Sequence, residues 1–245
     1  MSELISFGGG VNSTAMTILL VNEGWRGPIV FADTGCEWPD TYHYMGMFEC
    51  EWLAPRGLGI ERLGGEWREN KRAQGMDLLG YCEHYAYVPL AGIRWCTRMY
   101  KADPMANWAR AHGIDSQLIG IAADEAHRTR DMRYPLIERG ITRQGCIDII
   151  RTEGLDVPMK SGCYICPFQR TDMWRELYRR YPQLYERAAR LEEIATERRN
   201  EVTHLRPGGD YTLRELQAII EQQMPLFDDS ELDDLLIYKP CLCEV

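Results

Sequence analysis

The chain has no apolar run near the roughly 20 residues that a helix needs to cross a bilayer, so no membrane span is expected. It has no basic-then-apolar start of the secretory kind, and a cytoplasmic protein is expected. It has no surplus of positive charge either. Lys and Arg number 28 against 37 Asp and Glu, a net charge of −9. That argues against a broad nucleic-acid surface and leaves room only for a local basic groove. Two common phosphate-loop patterns are also missing. No lysine precedes Ser13 or Thr14, as G-x-x-x-x-G-K-[ST] requires, and no third glycine follows Gly10 where G-x-G-x-x-G needs one. Cysteine, by contrast, is plentiful. Nine cysteines in a reducing compartment, where disulfides are rare, point to metal or redox chemistry.

The chain is organised around its start. Leu4 to Phe7 is a short apolar run, Gly8-Gly9-Gly10 ends it, and Ala15 to Val21 reads as a buried helix. The order is strand, glycine turn, helix. Asn12, Ser13 and Thr14 are N-cap types at the expected helix start. The first-turn N–H groups and the helix dipole then form an anion site, with phosphate as the natural guest. The alternative is an ordinary strand-to-helix turn. Pro28 to Ala32 reads as a second, parallel strand, with Asp33-Thr34-Gly35 at its carboxyl end, where open α/β sheets bind ligands. Helical spacing runs over Thr41 to Trp52, Gly57 to Leu63 holds another short strand, and Ser116 to Ile121 reads as a further parallel strand. Thr142 caps a helix with Cys146, Ile149 and Ile150 on its apolar face. From Met173 to about Ile220, two or three helices are expected, broken at Pro182. Pro207 to Asp210 marks a turn before a Thr212/Glu215 capping box. The 245 residues suit one large α/β domain or a core with an appendage. The division expected is 1–170 for the nucleotide-binding α/β part and 171–245 for a helical extension with a cysteine-bearing tail.

Cys163-Tyr164-Ile165-Cys166-Pro167 is a C-x-x-C turn, a spacing that lets two thiolates share a metal or cluster. Its rival is a buried or redox pair. Cys146 either packs on its helix or turns towards this pair. Cys36, Cys50 and Cys82 have no neighbouring cysteine, as suits buried thiols.

Ser6-Phe7-Gly8-Gly9-Gly10-Val11-Asn12-Ser13 resembles the PP-loop of ATP pyrophosphatases, S-F-S-G-G-x-D-S. Gly8 stands for a serine and Asn12 for an aspartate. Asn12 keeps a capping oxygen but removes a charge that would assist Mg²⁺. Asp33 to Thr41 resembles the D-T-G-x-x-[FY]-P-E-T stretch of the phosphoadenylyl-sulfate (PAPS) reductase family. Cys96 to Met105 resembles that family's C-C-x-x-R-K-x-x-P-L, with Thr97 for the second cysteine and Tyr100 for the arginine. Gly120 to Arg128 resembles G-x-R-x-x-E-[SA]-x-x-R, with Ala122 for the first arginine. Pro135 to Phe168 is similar to PAPS reductase-like proteins of phage and mobile elements.

The resemblance implies a Rossmann-like, mostly parallel sheet flanked by helices, with a helical C-terminal extension. It implies an adenine nucleotide held by Ser6, Phe7, Gly8, Gly9, Gly10, Asn12, Ser13, Thr14, Asp33, Thr34, Gly35, Gly120 and Glu125. Lys101 and Arg128 are then catalytic cations, and Arg130 and Arg133 accompany Arg128 at the ligand. His127 is a possible general base that nothing distinguishes from a surface histidine. Cys96, Cys146, Cys163 and Cys166 are the metal set, for a [4Fe–4S] cluster or, alternatively, Zn²⁺. Cys241 and Cys243 stand in for a mobile tail thiol, although the family's E-C-G-[LI] tail is missing. The implied activity uses ATP with Mg²⁺, cleaves the α–β bond, adenylates an acceptor and supports sulfur transfer. A nucleic acid or a sulfur-donor protein is the implied partner. The alternatives are a true sulfonucleotide reductase that releases sulfite, and a nucleotide-binding module with structural zinc and no turnover. Oligomeric state is not encoded in these patterns.

Overall fold

The structure, a computed structural model, describes residues 2–129, 132–205 and 211–223. Four strands form one parallel sheet: β1 Glu3–Ser6, β2 Ile29–Ala32, β3 Ile60–Leu63 and β4 Ser116–Ile119, in the order β3-β2-β1-β4. Registers pair Ile5 with Ile29, Ile29 with Ile60, and Ile5 with Leu118. All four residues of β2 are buried, as expected of a strand covered on both faces. Side chains alternate across the sheet. Ile5, Ile29 and Phe31 pack on one face with α1 (Val11–Asn22), α2 (Pro39–Met47) and α8 (Arg143–Thr152). Leu4, Val30 and Leu63 pack on the other face with Met105 and Trp108 of α6 (Asp103–Ala111).

The chain steps from β1 to β2 to β3 in one direction and then returns to place β4 on the far side of β1. Such a reversal leaves a crevice at the carboxyl ends of the two strands flanking it. The glycine loop leaves β1 there, and Gly120 follows β4.

A third apolar cluster joins the middle and the end of the chain. Short helices α3 (Lys71–Gln74), α4 (Leu78–Tyr85) and α5 (Trp95–Thr97) supply part of it. The C-x-x-C turn and helices α9 (Thr171–Arg180), α10 (Pro182–Arg199) and α11 (Leu213–Gln223) supply the rest, around Trp38, Trp174 and Tyr185. The C-terminal helices therefore share a core with residues 36–100. A one-turn helix, α7 (Pro135–Glu138), precedes α8.

Two boundaries differ from the sequence expectation. Helix α1 begins at Val11 with Gly10 as its N-cap, so Asn12, Ser13 and Thr14 lie inside its first turn. Ser13 still closes that turn, with its Oγ accepting from Gly10 N at 3.3 Å and donating to Gly10 O at 3.0 Å. The helix over Thr41 to Trp52 changes at Phe48 into a wider π-helical turn, Phe48–Leu53. There Phe48 stacks between Tyr44 and Trp52, with ring centroids at 6.4 and 5.3 Å. The caps at Thr142 and Thr212/Glu215 form as expected. The turn at 207–210 lies outside the described residues. No described helix is long and apolar enough to cross a membrane.

Candidate functional site

The crevice at the strand reversal is a cavity of about 1160 Å³. The β1 end and loop supply Ser6, Phe7, Gly8, Gly10, Asn12 and Ser13, and the β4 end supplies Gly120, Glu125 and Arg128. Gly9 (φ +70) takes a backbone conformation that side chains rarely adopt, and a Cβ there would meet Thr41 at 2.8 Å. Gly120 is needed for a different reason. A Cβ on it would sit 2.8 Å from the Ser13 N and Cα atoms, so only glycine lets β4 reach the loop.

Charge in the cavity opposes that of the whole chain. Among the described lining residues Arg94, Arg98, Lys101, Arg128, Arg143 and Lys160 are positive, and only Asp103 and Glu125 are negative. A protein of net charge −9 thus concentrates cations at one concave site, which focuses field on an anionic ligand. Arg94 holds φ +50, the left-handed region, and its guanidinium lies over the Phe168 ring at 5.4 Å.

Around Asn12 the polar groups interlock. Asn12 Nδ2 donates to Glu125 Oε2 at 2.7 Å, and Asn12 Oδ1 accepts from Arg143 Nη1 at 2.9 Å. Glu125 Oε1 accepts from Arg128 Nη1 at 2.8 Å. Asn12 and Glu125 are buried.

Behind the cavity wall lies a second cluster. Glu37 is buried, and its Oε1 accepts from Lys101 Nζ at 2.8 Å and from Thr34 Oγ1 at 3.1 Å. The Cys163 thiol lies 3.6 Å from the same oxygen and 3.3 Å from Thr34 Oγ1. Glu37 Oε2 has no hydrogen-bond partner among the described residues. Burial opposes the charge on Lys101, and the Glu37 carboxylate, by its charge and its hydrogen bond, is the chief influence among those that together keep the ammonium protonated. Lys101 keeps 39% of its side chain exposed and so presents charge to the cavity while anchored to Glu37. Burial, then the Glu37 charge, pushes the Cys163 thiol up. The Trp38 N–H to Gly162 O bond, 3.1 Å, and the Tyr164 N–H to Cys36 O bond, 2.9 Å, clip the C-x-x-C turn to the 33–38 loop.

Several expected site residues lie elsewhere. Asp33, Thr34 and Gly35 do not line the cavity. Asp33 Oδ1 accepts from Gly35 N and Tyr42 OH, closing a turn, and Thr34 serves the Cys163 cluster. Thr14 is fully buried in α1. Arg133 pairs with Glu3 at 2.7 Å and Glu138 at 3.0 Å, outside the cavity lining. His127 is exposed and also outside it. Arg130, Cys241 and Cys243 fall outside the described residues.

The four cysteines do not form one ligand set. Cys146 is fully buried on the α1–α8 face of the sheet, and burial pushes its thiol up to about 12. Cys96 and Cys163 pack against the other cluster. Among the described residues no three His, Cys, Asp or Glu side chains stand close enough to hold a metal ion. Cys146 therefore stands apart from the C-x-x-C turn, and the described side chains present no ready-made site for a single zinc ion.

Three contributors escape a sequence reading: Arg143, which enters from α8; Lys160, which lines the cavity; and Glu37, hidden in the variable positions after Asp33-Thr34-Gly35. Ser161 also reaches the loop, its Oγ 2.6 Å from where a Gly10 Cβ would lie.

Comparison with known proteins bears on the same stretch. No curated protein matches. Among solved structures the chain is similar to PAPS reductase from Candida auris, determined as a phosphate complex. That match has 14% identity and a TM-score of 0.47, and it covers 67% of this chain and 82% of that one. The profile of the family described as "Phosphoadenosine phosphosulfate reductase domain" matches residues 3–144, more than half of the chain. The chain belongs to the phosphoadenosine phosphosulfate reductase domain family.

Proposed function

We propose that the protein is an adenine-nucleotide enzyme of sulfur metabolism that binds ATP at the glycine loop and adenylates an acceptor. The supporting observation is the cationic cavity built on that loop at the strand reversal, in an otherwise acidic chain. An acceptor oxygen attacks the α-phosphorus, the α–β bond breaks and pyrophosphate leaves. A sulfur nucleophile then displaces AMP. Loop N–H groups, Arg128 and Lys101 stabilise charge that builds on the phosphates, the effect that usually dominates such catalysis. Glu37 fixes the Lys101 ammonium. Mg²⁺ enters as the partner of ATP, held by phosphate oxygens and water. The sulfur donor and acceptor, a nucleic acid or a small molecule, approach from the side of Arg94 and Arg98.

A second reading, sulfonucleotide reduction with release of sulfite, is favoured by one contact. The Asn12 amide oxygen, at the position of the PP-loop aspartate, accepts from Arg143. A sulfonucleotide needs no metal there. Incubation with ATP, and separately with PAPS or adenosine 5′-phosphosulfate, tests both readings. AMP and pyrophosphate from ATP support adenylation. Sulfite from a sulfonucleotide supports the second reading. Tight ATP binding with no product, acceptors included, contradicts both and leaves a binding module.

A further inference from the structure

The loop of this protein carries an amide where a carboxylate would help to hold a divalent cation, and the structure shows what has taken up that space. Asn12 bridges an acid and a guanidinium, donating to Glu125 at 2.7 Å and accepting from Arg143 at 2.9 Å. Glu125 in turn holds Arg128 at 2.8 Å. Both Glu125 oxygens are therefore engaged, and the other acidic lining residue, Asp103, pairs with Arg98 at 3.6 Å. Each acid among the described lining residues already neutralises a cation.

Arg143 occupies an unusual place. It is the first residue of α8, where the helix dipole disfavours a cation. Asp124 offsets this by accepting from the Arg143 backbone N–H at 3.0 Å. The side chain runs to the loop and lines the cavity. A guanidinium carries N–H donors in a planar fork that matches phosphate oxygens. Arg128 and Arg143 are thus braced at fixed positions beside the same loop, through Glu125 and Asn12.

Resting on the nucleotide reading above, we infer that Arg143, positioned by Asn12, is a specificity-determining residue that reads the nucleotide phosphates together with Arg128, in place of a protein-held divalent cation. Phosphate recognition at the loop is then independent of metal. Asn12 is required as an amide because it must donate to Glu125 and accept from Arg143 at once. An aspartate would set a second carboxylate against Glu125.

Calorimetric titration of ATP into the full chain, in EDTA and in excess Mg²⁺, tests this. The unaltered protein is expected to bind with dissociation constants within about threefold of each other. Arg143→Ala is expected to weaken binding at least tenfold in both buffers, with Arg143→Lys in between because it keeps the charge and loses the fork. Asn12→Asp is expected to bind poorly in EDTA and to recover with Mg²⁺. Binding that requires Mg²⁺ in the unaltered protein overturns the inference and leaves the nucleotide reading standing. So does unchanged affinity in a folded Arg143→Ala protein. Absence of ATP binding in both buffers overturns the nucleotide reading itself. The two-buffer titration of the unaltered chain decides even where a variant fails to fold.

Discussion

On the loop wall of the cavity both polar ends of the Asn12 amide are bonded, whereas on the Lys101 wall a buried carboxylate keeps one oxygen without a partner among the described residues. Asn12 and both oxygens of Glu125 are bonded, and Gly120 locks two backbones together. Glu37 gathers Lys101, Thr34 and Cys163 on Oε1 alone. A buried carboxylate bonded at both oxygens, as Glu125 is, is held rigidly, and one bonded at a single oxygen, as Glu37 is, carries an energetic cost. The contrast assigns different work to the two walls. The loop wall is a preorganised receptor. The Glu37–Lys101 wall holds charge ready to respond when a ligand arrives.

The largest expected effect breaks the loop wall at its tightest point. Gly120→Val places a side chain on the Ser13 backbone, which cannot yield as a flexible side chain does. We expect a loss of about 3 kcal/mol in stability, at the upper end for overpacking, and no measurable ATP binding. Urea unfolding and calorimetry check this; binding retained at the native level would mean that the loop and β4 are not locked together.

Next comes the Lys101 wall. Lys101→Met strands the buried Glu37 charge and should cost about 2–4 kcal/mol, whereas Glu37→Gln leaves a half-exposed ammonium and should cost less. Denaturant titration of both variants at neutral pH reads the asymmetry. Equal effects would show that Glu37 is not the dependent partner.

A smaller effect separates core from site. Cys146→Ser buries a hydroxyl among Ile147, Ile150 and α1 and should cost about 1–3 kcal/mol, with ATP affinity unchanged. Loss of iron or zinc from this variant, measured on protein purified without oxygen, would return Cys146 to the ligand set.

The last effect is absent at neutral pH and emerges only in alkali. Burial, ahead of nearby charges, pushes the Cys36 and Cys146 thiols up to about 12 from 9.0. Their folded pKa values exceed the unfolded ones, so the unfolded chain releases these protons first. The stability they protect is intact below about pH 9 and falls as pH rises towards 12. Cys146→Ala should flatten that decline by one thiol's share in pH-dependent unfolding curves; an unaltered slope would mean that this thiol titrates normally.

The sequence shows most clearly what is local. The glycine turn after β1, the helix behind it, the Thr142 and Thr212 caps and the C-x-x-C turn all depend on neighbours within a few residues. It misses what the fold brings together from afar. Asn12 meets Glu125 across 113 residues and Arg143 across 131, and no spacing rule encodes such meetings. Arg133 illustrates the reverse error. Its position near the β4 motif suggests a ligand contact, but Glu3 and Glu138 flank it at the sheet edge and take its charge. Cys146 has the residue type of a ligand and the periodicity of a core position, and the periodicity was the better guide. Asp33 stands at a strand's carboxyl end, where ligands bind, yet it lies outside the cavity lining, and a tyrosine hydroxyl and a turn amide both bond its Oδ1.

The most direct test of the loop wall as a phosphate receptor is a pair of titrations, ATP and adenosine, into the same preparation of the full chain. A wall of oriented N–H groups and braced guanidiniums contributes nothing to a nucleoside without phosphates. ATP is expected to bind at least about 100-fold more tightly than adenosine, a difference of about 2.7 kcal/mol. Equal affinity for the two would contradict it, because the cavity would then recognise the base and sugar and leave the phosphates unread.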